Sequence, residues 1–159
     1  MNKGGQAWGF DLIIAIAIFI FGIIVFFLYS ANYPKGEQEK VDNLLYEANS
    51  IAEDLMSDGN PQNWTISTVS KVGLLTANVV NQSKLDQFYQ LSQADYPLTR
   101  ALFSTKYHYF INASSPLQVL GSSIAGIGLQ PLNAKNSIKV SRINIYQNRP
   151  ITIEVQVWE

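Results

Sequence analysis

The chain has 159 residues, a net charge of −1, one histidine and no cysteine. The lack of cysteine excludes disulfides, thiolate catalysis and thiolate metal sites, and the near-neutral charge gives no reason to expect a nucleic-acid partner. Beyond an apolar N-terminal segment about 130 residues remain, enough for one domain whose modest core must be held by packing alone.

The N-terminal segment begins with a short basic leader and continues as an apolar run. Lys3 precedes Gly5 and Gln6, the carboxylate of Asp11 follows, and residues 12–28 are almost wholly apolar. A helix of twenty such residues is about 30 Å long, which matches the hydrocarbon core of a bilayer. The segment is therefore predicted to span a membrane.

The arrangement of Lys3, Gly5 and Gln6 before an apolar helix resembles the class III signal of archaeal type IV pilins and pilin-like proteins. The resemblance implies that a prepilin peptidase cleaves between Gly5 and Gln6 and leaves the helix on the mature protein. It also implies an assembly role for Asp11, which would neutralise the N-terminal amine of a neighbouring subunit. After cleavage Asp11 is the sixth residue, one position later than is usual in the family.

Two alternatives to this interpretation of the N-terminus stay open. The segment could be an uncleaved signal anchor, and Asp11 could lie among lipid headgroups as a helix-start acid favoured by the helix dipole. A conventional secretory signal fits less well, because its apolar core of about 7–15 residues is shorter than this run. Lys3 and the N-terminal amine favour an N-inside, C-outside orientation of a single span.

The predicted domain organisation has four parts. Residues 1–5 form the leader and 6–32 the transmembrane or assembly helix. A kink or hinge is predicted at 33–36, where the sequence is Tyr-Pro-Lys-Gly. The extracellular head comprises residues 37–159 and begins with an amphipathic helix, 37–57, with Gly59 at its C-terminal end. The apolar positions of this helix are Val41, Leu44, Leu45, Ala48, Ile51, Ala52, Leu55 and Met56.

The rest of the head alternates between strand and helix patterns. The predicted elements are a strand or turn within 69–80, a helix from a Ser83 cap to Leu91, a short helix over 98–103, and strands over 106–111, 138–146 and 151–158. The last two strands are joined through 147–150. A shift in the apolar phase between Val140 and Ile143 predicts a bulge or a change of buried face.

The predicted fold class is α+β. An N-terminal transmembrane helix continues into an amphipathic helical spine, which carries a small head with an antiparallel sheet of about three strands, near the minimum for independent stability. This plan of a helix followed by a head is similar to that of pilins.

Charge is distributed unevenly along the head. Residues 37–58 contain seven acidic side chains and one basic one, a net charge of −6, whereas residues 71–159 contain eight bases and four acids, a net charge of +4. One interpretation is a solvated polar helix face. The other is that the acidic spine of one subunit meets the basic head of another, as in a heterologous repeating contact.

Candidate residues for chemistry are few. His108 stands between two tyrosines in an aromatic strand, which indicates a packed or surface strand residue rather than a ligand or a catalytic base. Asp54 and Asp58, with Glu53, could chelate a hard cation but lack a calcium-binding loop. The glycines of 121–128 are not followed by the Lys-Ser/Thr of a phosphate-binding loop. No catalytic residue, metal site or cofactor is predicted, and the protein is not expected to be an enzyme.

Three sequons make Asn63, Asn81 and Asn112 candidate acceptors for N-glycosylation. They matter if the head is outside the cell, where archaeal pilins are often glycosylated.

The predicted function is that of a structural subunit, a pilin, minor pilin or pseudopilin, of a type IV pilus-like filament. The resemblance implies as partners the prepilin peptidase, identical or related pilin subunits, an assembly platform and the membrane, and it implies that the subunit passes from the membrane into an extracellular filament. The alternative is a single-span, membrane-anchored binding or sensor domain that does not polymerise. The sequence leaves open which type of filament is formed and whether this subunit is major or minor.

Overall fold

The computed structural model of the chain describes residues 4–32, 35–132 and 134–159. The chain divides into two compact units, Met1–Gln38 and Glu39–Glu159. Helices and a mixed sheet follow one another instead of alternating as β-α-β repeats. The fold class is therefore α+β, as predicted.

Helix α1 (Gly4–Ala31) contains the predicted apolar span. Residues 1–3 of the predicted leader lie outside the described residues, and Gly4 already belongs to the helix. Tyr33 and Pro34, the first half of the predicted hinge, also lie outside the described residues. The leader and the hinge stay predictions.

The described residues after Pro34 form three helices and eight strands. The helices are α2 (Lys35–Leu55), α3 (Gln82–Ala94) and α4 (Tyr96–Leu102). The strands are β1 (Leu75–Thr76), β2 (Val79–Val80), β3 (His108–Ala113), β4 (Leu117–Val119), β5 (Ser122–Ile124), β6 (Ile127–Gly128), β7 (Ser137–Tyr146) and β8 (Arg149–Trp158).

Six strands form one mixed sheet in the order β1-β2-β7-β8-β3-β6, and β4 and β5 form a separate hairpin. Neighbouring strands are antiparallel except β2 and β7, which pair in parallel through Val79 and Ile145. The predicted three-stranded antiparallel sheet corresponds to the centre, β7, β8 and β3. The strands that extend it have only two residues each, too few to show an alternating pattern.

Strand β7 is open along part of its length. Within the described residues it pairs with β2 only at Ile145, so the segment from Ser137 to Ile143 has no strand beside it on that edge.

Strands β7 and β8 form an unbroken antiparallel hairpin, from Ser137 opposite Trp158 to Tyr146 opposite Arg149. The turn between them consists of Gln147 and Asn148, with φ angles of 50° and 62°. Two positive φ angles are what a type I′ turn requires, and this turn matches the twist of the flanking strands. The connection is therefore two residues long, shorter than the predicted 147–150.

The prediction of a bulge or a change of buried face in β7 is wrong. Val140 and Tyr146 are both buried on one face, while Ile143 and Ile145, on the opposite face, are 77% and 47% exposed. Because successive side chains of a strand point to opposite faces, the strand keeps one buried face throughout. Ile143 and Ile145 face outward and make the apolar pattern irregular, although the strand contains no inserted residue.

Helix α2 buries most of the apolar face that its spacing predicts. The fully buried positions are Leu44, Ala48, Ile51, Ala52 and Leu55. They recur every three or four residues and therefore share one side of the helix. Val41 and Leu45, which the pattern places on the same face, are 39% and 43% exposed.

The chain between α2 and β1 is packed around a tryptophan. Trp64 is 1% exposed and donates its indole N–H to the carbonyl of Gly73 at 2.9 Å. Gly59 has a φ of 73°, and a Cβ there would lie 2.7 Å from the Trp64 ring. Glycine is therefore required at position 59 by both conformation and space.

Asn81 caps helix α3, and the prediction that Ser83 does so is wrong. Asn81 is extended and its Oδ1 accepts the backbone N–H of Lys84 at 3.2 Å, the usual geometry of an N-cap. The Lys84 side chain is itself buried, and its Nζ donates to the carbonyls of Asp58 at 2.9 Å and Leu75 at 2.6 Å. The amine thus ties α3 to β1 and to the loop after α2.

The next two elements begin two residues away from their predicted starts. Helix α4 starts at Tyr96, because Asp95 caps it by accepting the Leu98 N–H at 2.9 Å. Strand β3 starts at His108 and not at Lys106.

The core of the head lies between helices α2 and α3 and one face of the sheet. This face, called the inner face, carries the buried residues Val140, Tyr146, Ile151, Ile153, Val155 and Val157. Arg142 on the same face donates from Nη2 to Asn49 Oδ1 of α2 at 2.9 Å. Phe88 of α3 packs at 6.5 Å from Tyr109 of β3, measured between ring centroids. The predicted packing of α2 on the C-terminal hairpin is observed.

Replacing Leu44 by alanine should lower the free energy of unfolding of residues 37–159 by about 2–5 kcal/mol, because a fully buried leucine leaves a cavity. Leu45→Ala is the matched control, since Leu45 is 43% exposed, and it should change the free energy by less than about 1 kcal/mol. Urea unfolding of both variants measures the difference. Equal midpoints for the two would contradict the burial of this helix face.

Candidate functional site

Helix α1 presents a long apolar surface. Its segment Gly9–Ala31 has 23 residues, about 35 Å, and is long and apolar enough to cross a membrane. Every side chain in this segment is exposed in the isolated chain. Lipid or the apolar helices of other subunits would remove this surface from water. An assembly helix, an anchor and a signal sequence all share these properties.

Asp11 lies inside helix α1 and not at its start. The helix begins at Gly4, so Asp11 is about two turns in, between Phe10 and Leu12, which are 67% and 60% exposed. The helix dipole acts on charges within the first turn, so it gives little stabilisation to this carboxylate. The interpretation of Asp11 as a helix-start acid is therefore not supported.

The predicted cleavage position belongs to the same helix. Gly5 and Gln6 are both in α1, and Lys3 lies outside the described residues. Asp11 is five positions after Gln6, which in an α-helix is about 7.5 Å along the axis and, beyond one full turn, more than a third of a turn around it. A new amine on Gln6 and the carboxylate of Asp11 would therefore face different sides of one helix.

The surface of α2 that faces away from the core is acidic. Glu39, Asp42, Tyr46 and Glu53 are all exposed, Tyr46 to 73%, and their spacing of three, four and seven residues places them along one line. These four residues are called the acidic stripe. It lies nearly opposite the buried face of α2, so it points away from the sheet of the same chain.

A polar hollow of about 360 Å³ lies at the turn end of the β7–β8 hairpin. It is lined by Ser115, Pro116, Gln118, Tyr146, Gln147, Arg149, Pro150 and Ile151. The Tyr146 hydroxyl donates to Gln82 Oε1 at 2.8 Å and is thereby fixed in direction. The sequence does not predict this hollow, because its lining comes from separate segments that only the fold brings together.

His108 is half-buried in β3 and packs against aromatic rings, within the predicted choice of a packed or surface strand residue. Its ring lies between those of Tyr96 and Trp158, with centroids 6.1 and 6.0 Å away. Desolvation lowers the pKa of His108, and the Arg100 cation lowers it further. Burial raises the pKa of nearby Tyr109 to about 12, and its hydroxyl donates to Thr99 Oγ1 at 2.6 Å.

The three sequons occupy different environments. Asn63 is exposed in a turn. Asn81 caps α3, and its amide also donates to Thr76 Oγ1 at 3.1 Å. Asn112 lies within β3 opposite Glu154 and is half-buried. Asn63 is therefore accessible to a glycosylating enzyme, whereas Asn81 and Asn112 are held in a helix cap and a strand.

The residues considered for ion and phosphate binding take part in contacts and strands of the head. Asp54 pairs with Lys71 at 2.8 Å, and Asp58 accepts a hydrogen bond from Gln62 at 3.2 Å. Within residues 4–32, 35–132 and 134–159, no three His, Asp or Glu side chains are grouped to hold a metal ion. The segment Gly121–Gly128 contributes to the β4–β5 hairpin and to β6.

No protein-family model, curated protein or solved structure matches this chain. The fold and the sites define a class: an α+β head on a chain whose N-terminal helix is long and apolar enough to span a membrane.

The head should become less stable as the pH is lowered below about 6.5, because of His108. Its pKa is lower in the folded state, so as the pH falls the unfolded chain binds the proton first. The contribution of neutral His108 to the free energy of unfolding is complete above its ordinary pKa. It is lost as the pH falls through the lower pKa that His108 has in the folded head. His108→Phe keeps the aromatic packing and should remove this part of the pH dependence in urea unfolding. An unchanged pH profile would contradict it.

Asn63 should be the first sequon to carry a glycan, and Asn81 should matter for stability. Asn81→Ala removes an N-cap and should cost about 0.5–2 kcal/mol in unfolding free energy. Asn63→Ala, the matched control at an exposed turn, should change it by less than about 0.5 kcal/mol.

Peptide mass spectrometry of the protein from its native cells locates the glycan. A glycan on Asn81 or Asn112 with Asn63 bare would contradict this order.

Proposed function

We propose that this chain is a structural subunit of a type IV pilus-like surface filament: a pilin, minor pilin or pseudopilin. The observation that carries the proposal is the order of Lys3, Gly5 and Gln6 directly before an apolar helix of membrane-spanning length. An α+β head in which a helix packs on antiparallel strands supports it. The subunit would be inserted N-inside, cleaved by a prepilin peptidase and then incorporated with related subunits by an assembly platform. It would have no catalytic activity.

The apolar surface of α1 supports assembly through this helix. Side chains around the whole circumference of Gly9–Ala31 are exposed and predominantly apolar. Such a helix needs apolar surroundings on every side. A bilayer supplies them before assembly, and a bundle of identical helices supplies them in a filament.

The geometry of Asp11 supports a contact between subunits. In the cleaved chain, the Gln6 amine and the Asp11 carboxylate lie on different sides of one helix, so each must find its counter-charge elsewhere. A neighbouring helix displaced along its axis places an amine beside Asp11. In a low-dielectric surrounding, a carboxylate without such a partner is costly.

A second candidate function is a membrane-anchored binding domain, and the polar hollow beside Arg149 favours it. The hollow combines a guanidinium, two glutamines and a tyrosine hydroxyl, which together suit a small polar or anionic ligand. This candidate does not require cleavage at Gly5. The mature N-terminus therefore distinguishes the two functions.

Processing should occur between Gly5 and Gln6, so that mass spectrometry of the mature protein finds Gln6 first. Gly5→Val should leave an unprocessed, membrane-retained precursor, because a branched side chain hinders access to the scissile backbone. Gly9→Val is the matched control, since a Cβ at Gly9 meets no atom within 4 Å, and it should be processed. Normal processing of Gly5→Val, or a native chain that keeps Met1, would remove the main support of the proposal.

Asp11→Asn should be processed and inserted normally but should reduce the yield of filaments, because the amine in each contact would lose its counter-charge. Asp11→Glu keeps the charge and serves as the control that should assemble. Sheared filaments are quantified against the cell-associated subunit in each strain. A normal yield from Asp11→Asn would leave Asp11 as an interfacial residue without a role in pairing.

A further inference from the structure

The face of the sheet opposite the inner face carries exposed apolar residues beside a cation. On β7 it presents Lys139, Ser141, Ile143 and Ile145, all exposed, and Val79 of β2 lies next to Ile145. This set is called the outer face. Ile143, at 77% exposure, and Ile145, at 47%, form an apolar patch with Val79 at 37%. Within the described part of the head, burial does not account for isoleucine at positions 143 and 145.

The outer face and the acidic stripe lie on opposite sides of the same head. The buried face of α2 packs on the inner face of the sheet, as the Arg142–Asn49 hydrogen bond shows. The stripe therefore points away from the sheet on one side, and the outer face points away from α2 on the other. Two different surfaces on opposite sides of one molecule can form a head-to-tail contact that repeats without closing.

The acids of the stripe and the lysine of the outer face are opposite in charge. Glu39, Asp42 and Glu53 are acidic, whereas β7 places Lys139 on the outer face, and β8 places the half-buried Glu154 on the same face opposite Ser141. Tyr46, the residue type enriched at the centres of interfaces, stands in the stripe with acids on both sides. Ile143 stands in the outer face with Lys139 on the same side of its strand.

The distance from Glu39 to Tyr46 along α2 also matches the distance from Lys139 to Ile143 along β7. Helix α2 and strand β7 run in the same direction, because Lys40 contacts Glu159 beside the start of β7 and Met56 contacts Asn144 near its end. Glu39 is about 10 Å before Tyr46 along the helix, and Lys139 is about 13 Å before Ile143 along the strand. In two copies with the same orientation, Tyr46 over Ile143 therefore brings Glu39 within reach of Lys139.

We infer that neighbouring copies of this chain stack face to back, with the acidic stripe of one head on the outer face of the next. The occupant of the outer face is thus a second copy of the chain, with Tyr46 on Ile143 and Glu39 paired with Lys139. This inference rests on the proposed function, since a modest contact between heads gains strength when filament assembly holds them side by side.

Cysteine cross-linking in the full-length chain tests the contact, and the absence of natural cysteines leaves no background. Tyr46→Cys combined with Ile143→Cys should give a ladder of disulfide-linked multimers from oxidised filaments. The two positions lie on opposite sides of one head, so the bond cannot form within a molecule. Tyr46→Cys with Leu120→Cys is the matched control, because Leu120 is 56% exposed but its N–H bonds to Asp86 of α3, on the helix side. The control should give no ladder.

A charge exchange tests the pairing independently. Lys139→Glu should reduce the yield of filaments, and adding Glu39→Lys in the same chain should restore it. Lys135→Glu, an exposed lysine outside the contact, should have no effect.

The outcomes separate this inference from the function on which it rests. Wild-type filaments that contain subunits beginning at Gln6, together with no ladder from the double cysteine variant, would overturn the stacking and leave the pilin proposal standing. Equal ladders from the variant and its control, or a cross-linked partner of another mass, would also overturn the stacking. An unprocessed wild type without filaments would overturn both.

Discussion

The burial of one side of α2 against the inner face of the sheet is the contact on which the rest of the head depends. Leu44, Ile51 and Leu55 are buried there with the alternate residues of β8. With no disulfide available, this packing supplies the cohesion that small extracellular domains often obtain from cystine. The same contact decides which side of α2 and which face of the sheet are exposed to solvent, because it buries the opposite side of each.

The elements with a long periodic pattern were predictable from the sequence. Helix α2 and strand β8 repeat their apolar residues often enough to identify both the element and its buried side. The strands β1, β2 and β6 have two residues each: β2 and β6 pair with the longer strands β7 and β3, and β1 pairs with β2. The cap at Asn81 was missed for a similar reason, since Ser83 is an equally good capping residue and only the end of β2 decides between them.

The N-terminal site stays a prediction, and it can be formulated from sequence because its residues are close together in the chain. Gly5, Gln6 and Asp11 lie within two turns of one helix, so local order alone defines their relation. The surfaces of the head are different. The outer face combines Val79 with Ile145, which are 66 residues apart in sequence and meet through a parallel strand pair. Its isoleucines even misled the prediction, because in a strand an exposed apolar side chain looks like a buried one.

The open edge of β7 between Ser137 and Ile143 has a consequence for solubility. Unpaired N–H and C=O groups on such an edge are a template for strand addition, the route by which sheets aggregate. Lys139 and Arg142 place two positive charges on this edge. If the β7 strands of two chains paired there, these like charges would be brought close together, which disfavours pairing. The two cations therefore act against the addition of a second β7 strand at the open edge.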